Sequence, residues 1–188
     1  SEKLVEAYGS KVLHGPFKGM VYPKRALLDR FGTNRLLGSY EQELHSIFNT
    51  LDPGYELMVD VGAAEGYYAV GMALLTKSKK IYAYETDPRE LSLVREMASL
   101  NNVAERIEYR SWCDPDELCG LCANRRCFVL SDCEGYEKHL FTEAAINALS
   151  RSDVLIELHE DPSANLREEL SSRFRLTHEL NVTSVGPR

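Results

Sequence analysis

From residue 57 onward, short apolar runs alternate with segments whose apolar residues recur at helical spacing. "LMVDVG" (57–62) predicts a buried strand and "EGYYAVGMALLT" (65–76) the helix that follows it. "KIYAYE" (80–85) predicts a second strand. "DPRELSLVREMASLN" (87–101) predicts a helix with a marked start, in which Asp87 is the N-cap, Pro88 takes the first helical position and Glu90 closes a capping box. "RIEYRS" (106–111) and "CFVLSDCE" (127–134) read as the third and fourth strands, with a helix over "YEKHLFTEAAINAL" (136–149). "DVLIELHE" (153–160) is a fifth strand, "NLREELSSRF" (165–174) a helix and "RLTHELNV" (175–182) a sixth strand. Strands and helices alternating at these lengths imply right-handed βαβ units. The expected fold class is α/β, a doubly wound, mostly parallel sheet with helices on both faces.

The first 52 residues follow another pattern. "KVLHGPFKGMVYP" (11–23) has two short β-prone runs around Gly15 and Gly19, which predicts a β-ribbon. "YEQELHSIFNTL" (40–51) places Leu44, Ile47, Phe48 and Leu51 on one helical face, and "DPG" (52–54) ends that helix. With no linker or repeat in view, residues 1–188 read as one domain: an N-terminal extension over 1–52 and the α/β core over 53–188.

Composition narrows the partners. A net charge of −7 repels phosphate backbones, so nucleic acid is not expected as a partner. No stretch approaches the roughly 20 apolar residues of a membrane span, and the first residues lack the apolar core of a signal peptide. No membrane partner is expected, and the expected location is the cytoplasm.

A parallel sheet of this type binds ligands beyond the carboxyl ends of its strands. The ligand is therefore to be read from Asp60 and Gly62, Glu85, Trp112 and Cys113, Asp132 and Glu134, and Glu157 and His159. The first of these ends, "VDVGAAEGYYAV" (59–70), reads D-x-G-x-x-x-G. A dinucleotide site would read G-x-G-x-x-G and hold a pyrophosphate on the helix N-terminus. Here Glu65 stands at that helix mouth, where it repels a diphosphate and suits an ammonium group. Glu85, ending the second strand, is placed to accept hydrogen bonds from ribose hydroxyls. A nucleoside with a cationic, amino-acid-like end and no pyrophosphate fits both acids, and S-adenosylmethionine is such a molecule. The alternatives are a nicotinamide-dependent oxidoreductase, against which the missing G-x-G-x-x-G argues, and a binding module without turnover.

"GSYEQEL" (38–44), "VDVGAAEGYYAV" (59–70), "YAYETDP" (82–88), "SDCEGYEKHLF" (131–141) and "LIELHE" (155–160) together resemble the FkbM family of S-adenosylmethionine-dependent methyltransferases. The more specific part of the likeness is acid-x-E-G-x-E after the fourth strand followed by I-E-x-H after the fifth. The resemblance implies a class I, Rossmann-like methyltransferase fold and O-methylation of a hydroxyl on a sugar or natural-product-like small molecule. It implies cofactor contacts at Asp60, Gly62, Ala63, Gly66 and Glu85, with Trp112 and Cys113 flanking the adenine. Trp112-Cys113 departs from the Gly-Asp that many relatives of the wider fold carry.

Methyl transfer to a hydroxyl needs alignment of nucleophile, methyl and sulfur, and a group to take the proton. Asp132, Glu134, Glu157 and His159 end the fourth and fifth strands beside the expected methyl position. His159 is the preferred base, because imidazole titrates near neutral pH, and Asp132 is the alternative. Asp132 thus counts as both a cofactor-side and a catalytic residue, with Glu134 beside it. Strand alternation would point Asp132 and Glu134 to one face, and Glu157 and His159 likewise. Mg²⁺ suits such a set chemically, but spacing fixes no coordination geometry, and no metal ligands are assigned. The five cysteines lie between residues 113 and 133, with a single C-x-x-C at 119–122. One such pair is half of a zinc motif, so the stretch is read as a loop carrying reduced thiols.

Overall fold

The computed structural model describes residues 2–28, 30–76, 80–159 and 165–183. The chain opens with α1 (Glu2–Tyr8), a ribbon over 10–22, α2 (Gly32–Leu37) and α3 (His45–Asn49). The core then runs β1 (Leu57–Val61), α4 (Tyr67–Leu75), β2 (Lys80–Tyr84), α5 (Pro88–Leu100), β3 (Ile107–Arg110), α6 (Pro115–Cys122), β4 (Cys127–Ser131), α7 (Glu137–Leu140), α8 (Glu143–Ala148), β5 (Asp153–Ile156) and α9 (Leu166–Phe174). All five strands are parallel, in the order β3-β2-β1-β4-β5. Among the described residues no helix is long and apolar enough to cross a membrane.

Both faces of the sheet are covered, which is why β1 and β4 are buried at every position and largely apolar. Met58, Ile81, Ala83, Phe128 and Leu130 pack on one side with α4, α5 and the N-terminal extension. Leu57, Val59, Val61, Tyr84, Cys127 and Val129 pack on the other with α6, α8 and α9. The extension is part of the core. Phe17 is 2% exposed and meets Phe48, Tyr67 and Tyr68 edge-on or tilted. Burying such a ring stabilises by about 1.5–3 kcal/mol. Asn101, at the end of α5, donates to the Val21 carbonyl and accepts from the Val21 N–H, both at 2.8 Å, and so pins the ribbon.

Several elements differ from the sequence reading. The ribbon closes a single antiparallel bridge, Lys11 to Val21. The helix expected over 40–51 is a 3-10 turn (Gln42–Leu44) running into α3, with Phe48 buried and Leu44 and Ile47 half-buried. The helix expected over 136–149 is two helices, because Thr142 leaves the helical path and caps α8 through Ala145 N–H. The cysteine-bearing stretch is a helix, α6, capped by Asp114 with Pro115 behind it. Among the described residues no sixth strand forms: after α9 the chain turns on Phe174 and runs on irregularly to residue 183, with Leu176 87% exposed. β5 ends at Ile156, and Glu160 lies outside the described residues.

Candidate active site

The glycine turn after β1 is a packed object. The N–H groups of Gly62 and Ala63 both donate to the Tyr84 carbonyl at 2.9 Å, and Gly66 N–H donates to Ala63. Gly62 has φ +89°, and a Cβ there would lie 1.8 Å from the Asp132 carbonyl oxygen. A Cβ at Gly66 would sit 3.2 Å from Val94 of α5. The glycines therefore let the ends of β1 and β4, and α4 and α5, approach each other. The donors at 62, 63 and 66 are spent inside the fold, so these positions offer a ligand a bare surface without N–H groups for a phosphate.

Glu85 lies across this turn. Its Oε2 accepts from Ala64 N–H and its Oε1 from Asp87 N–H, both at 2.8 Å. These two bonds hold Ala64 at φ +44° and leave carboxylate lone pairs for further donors. Asp87 caps α5 as expected, accepting from Arg89 N–H at 2.7 Å.

Asp60, the acid within β1, is 1% exposed, and its carboxylate faces the Ala69 backbone N–H in the first turn of α4. Burial, then the nearby Asp132 carboxylate, push its carboxyl up to about 8, while the Ala69 backbone acts in the opposite direction. Asp132 follows β4, tied to β1 through its N–H to Val61. Burial, then Glu157, push it up to about 7, with His159 pulling it down. The His159 Nε2 lies 3.5 Å from Asp132 and 3.4 Å from Glu134. The donor atoms of these three residues lie within 4.8 Å of one another, the one such group among the described residues. Strand alternation does not bring them together, since β4 has ended and Glu134 turns at φ +53°. Glu157 is held by its N–H to Ser131.

Glu65 is a correction. Expected to meet a ligand's ammonium group, it is 5% exposed and paired with Arg35 of α2 at 3.0 Å. Burial of an acid at the start of α4 demands a partner, and the N-terminal extension supplies it. Arg35 was not singled out from the sequence, where nothing local ties it to residue 65. Next to it, Tyr40 packs edge-on against Tyr67 at 5.2 Å, and Tyr68 donates to the buried Glu41. Glu41 is near enough to raise the proton affinity of Asp132, so the extension reaches the site's rim.

Trp112 is 52% exposed beyond β3 and meets the Tyr136 ring at 4.7 Å, making an aromatic wall beside the strand ends. Cys113 is buried behind it, and burial pushes its thiol up to about 12. Cys119 and Cys122 lie on α6, Cys122 turned into the core beside Cys127. Neither belongs to a group of three converging metal donors among the described residues.

The buried Asp60, Asp132 beside it, and Glu85 with spare lone pairs make an acid-lined floor under a bare turn. A cationic nucleoside fits that donor set, since its positive groups would relieve the carboxylate repulsion. A family model described as TRM5/TYW2 methyltransferase domain matches residues 39–182. This is not the FkbM family that the motifs resemble; the findings agree on a class I S-adenosylmethionine methyltransferase. No curated protein matches the chain in sequence. Among solved structures it is similar to precorrin-6y C5,15-methyltransferase from Geobacter metallireducens, at 17% identity over 73% of this chain and 72% of that one, with a TM-score of 0.52. It is similar to precorrin 8w decarboxylase from Methanobacterium thermoautotrophicum, at 16% identity, 76% and 75% coverage and a TM-score of 0.57. It is also similar to the StiE O-MT fragment, at 14% identity, 82% of this chain and 57% of that one, with a TM-score of 0.53. At these identities the likeness is one of fold, the class I Rossmann-like arrangement.

Proposed function

The chain belongs to the TRM5/TYW2 methyltransferase domain family, and from the residues at its strand ends, not from that membership, we propose that it methylates a hydroxyl on a sugar or natural-product-like small molecule. Dependence on S-adenosylmethionine comes with the family and the fold; the hydroxyl acceptor is the proposal. The observation that carries it is the meeting of His159 Nε2 with Asp132 and Glu134 beyond β4 and β5. The motif likeness to the FkbM family supports the same acceptor. A small molecule is favoured over nucleic acid because Glu41, Asp132, Glu134 and Glu157 surround the position, and carboxylates repel a phosphate backbone.

When bound, S-adenosylmethionine supplies an electrophilic methyl group on a sulfonium. Asp60, Gly62, Ala63, Gly66 and Glu85 would hold it, with Trp112 and Cys113 at the adenine. His159 Nε2 takes the acceptor's proton, and the adjacent carboxylates stabilise the imidazolium that forms. The test is calorimetry with S-adenosylmethionine and S-adenosylhomocysteine, with and without Mg²⁺, followed by transfer of labelled methyl to a library of hydroxyl compounds and to RNA. Micromolar binding and label in a hydroxyl compound support the proposal. Label in RNA alone overturns the small-molecule acceptor.

Two substitutions probe the roles. Glu85→Ala removes charged acceptors worth about 1.5–3 kcal/mol, so S-adenosylmethionine affinity should fall at least about tenfold; unchanged affinity on calorimetry would take Glu85 out of the site. His159→Ala should lower turnover about 100-fold or more while cofactor affinity stays within about threefold. Equal losses in both would make His159 a structural residue.

A further inference from the structure

We propose that Glu137, buried beneath His159, positions that imidazole as the base, holding it through Nδ1 so that Nε2 is the nitrogen left for the acceptor. The inference rests on the reading in which His159 takes the acceptor's proton. Glu137 opens α7 and is 0% exposed. Its Oε1 accepts from Cys133 N–H at 3.1 Å, and its Oε2 has no hydrogen-bond partner. His159 Nδ1 is also buried without one, and it lies 3.8 Å from Glu137 Oε1. Each is costly to leave alone in the interior.

The ring nitrogen's need can be met by the carboxylate oxygen nearest to it, Oε1. An ionised carboxylate can only accept, and a neutral ring nitrogen donates only if it carries the proton. The proton on Nδ1, directed at Glu137 Oε1 after a small closure of the gap, gives the buried ring nitrogen a partner, with Oε1 accepting from it as well as from Cys133 N–H. That places the lone pair on Nε2, the atom that faces Asp132 and Glu134. As the acceptor oxygen bonds to the methyl carbon, the carbon–sulfur bond breaks with its electron pair going to sulfur, and the hydroxyl proton passes to Nε2. The imidazolium then has carboxylates at both nitrogens. A carboxylate behind a catalytic imidazole performs the same two tasks, fixing tautomer and stabilising the cation, in hydrolase triads. The competing role is purely local: Glu137 caps the turn at Cys133 and has no effect on the ring.

Nitrogen NMR on protein carrying ¹⁵N-labelled histidine separates the two. His159 is assigned by loss of its signals in His159→Gln, and spectra are taken at alkaline pH, where imidazole is neutral. The expected wild-type spectrum has a protonated Nδ1 and an unprotonated Nε2. Glu137→Leu removes the oxygen that faces Nδ1, so the ring should move toward the tautomer mixture of free imidazole. With an acceptor in hand, its kcat should fall at least about tenfold at near-constant cofactor affinity. A wild-type ring protonated on Nε2 overturns the proposal, and does so even if the variant fails to fold. A folded variant with an unchanged tautomer overturns it as well. The spectra need no acceptor, so failure of the hydroxyl reading shows separately, in the methyl-transfer screen.

Discussion

Gly62→Ala is expected to abolish cofactor binding and to destabilise the protein by more than about 3 kcal/mol, the range of changes that strain a special backbone conformation. The added methyl would lie 1.8 Å from the Asp132 carbonyl oxygen, and the residue sits at φ +89°, where a side chain is strained even in open space. The clash is with backbone on both sides, so no rotamer relieves it. The ends of β1 and β4 must part, which moves Asp60 away from Asp132 and breaks the bond from Asp132 N–H to Val61. Thermal unfolding should report a fall of roughly 6–12 °C, and calorimetry no S-adenosylmethionine binding. A folded variant with wild-type affinity would mean that the strand ends are looser than this contact requires.

The second large effect concerns pH. Asp60 holds its proton up to about 8 when folded, whereas an unfolded carboxyl loses it near 4. Between those values the folded state binds more protons than the unfolded one, so stability falls as pH rises through that window. The loss is on the order of 5 kcal/mol when the window is crossed in full. Asp132 is raised in the same direction and adds to the slope. Asp60→Asn should therefore make the ligand-free protein more stable than wild type at pH 8.5 and flatten its denaturant-unfolding profile from pH 5 to 9. It should also weaken S-adenosylmethionine binding, because the acid that costs stability alone is the one a cationic ligand rewards. Parallel stability profiles for the two proteins would place the titrating group elsewhere.

The alternation that predicted the first five of six strands in a mostly parallel sheet was legible because both faces of the sheet are buried, so each of those strands announces itself without needing a partner. Asp60, Glu85, Asp132 and His159 stood out as candidates for the same reason: each lies within or just beyond an apolar run. The helix α6 was missed, although "DPDE" at 114–117 has the same cap, proline and acid as "DPRE" at 87–90. The clustered cysteines drew the reading toward loops and metals. The sixth strand failed because its alternation has no neighbour to bury against, as the exposed Leu176 shows. Glu65 was misread because its partner, Arg35, comes from another element, and no local pattern joins the two. Glu137 stood inside a quoted motif, but only the tertiary fold puts its carboxylate under an imidazole from beyond β5.

The central place of β1 sets the order in which the domain can assemble. β1 pairs with β2, which follows it closely, and with β4, which comes much later in the chain. The ribbon it carries ahead of it is pinned by Asn101, 80 residues beyond Val21. Pairings so distant in sequence are slow to close, and until they do an unpaired strand edge stays exposed. A nascent chain that has emerged only as far as β3 holds such an edge along β1, with its N-terminal layer already able to dock. Arrival of β4 seals that edge and delivers Asp132 against Val61 and Gly62 in the same movement, so the step that covers β1 also brings two of the floor's acids together, before β5 adds the outer strand.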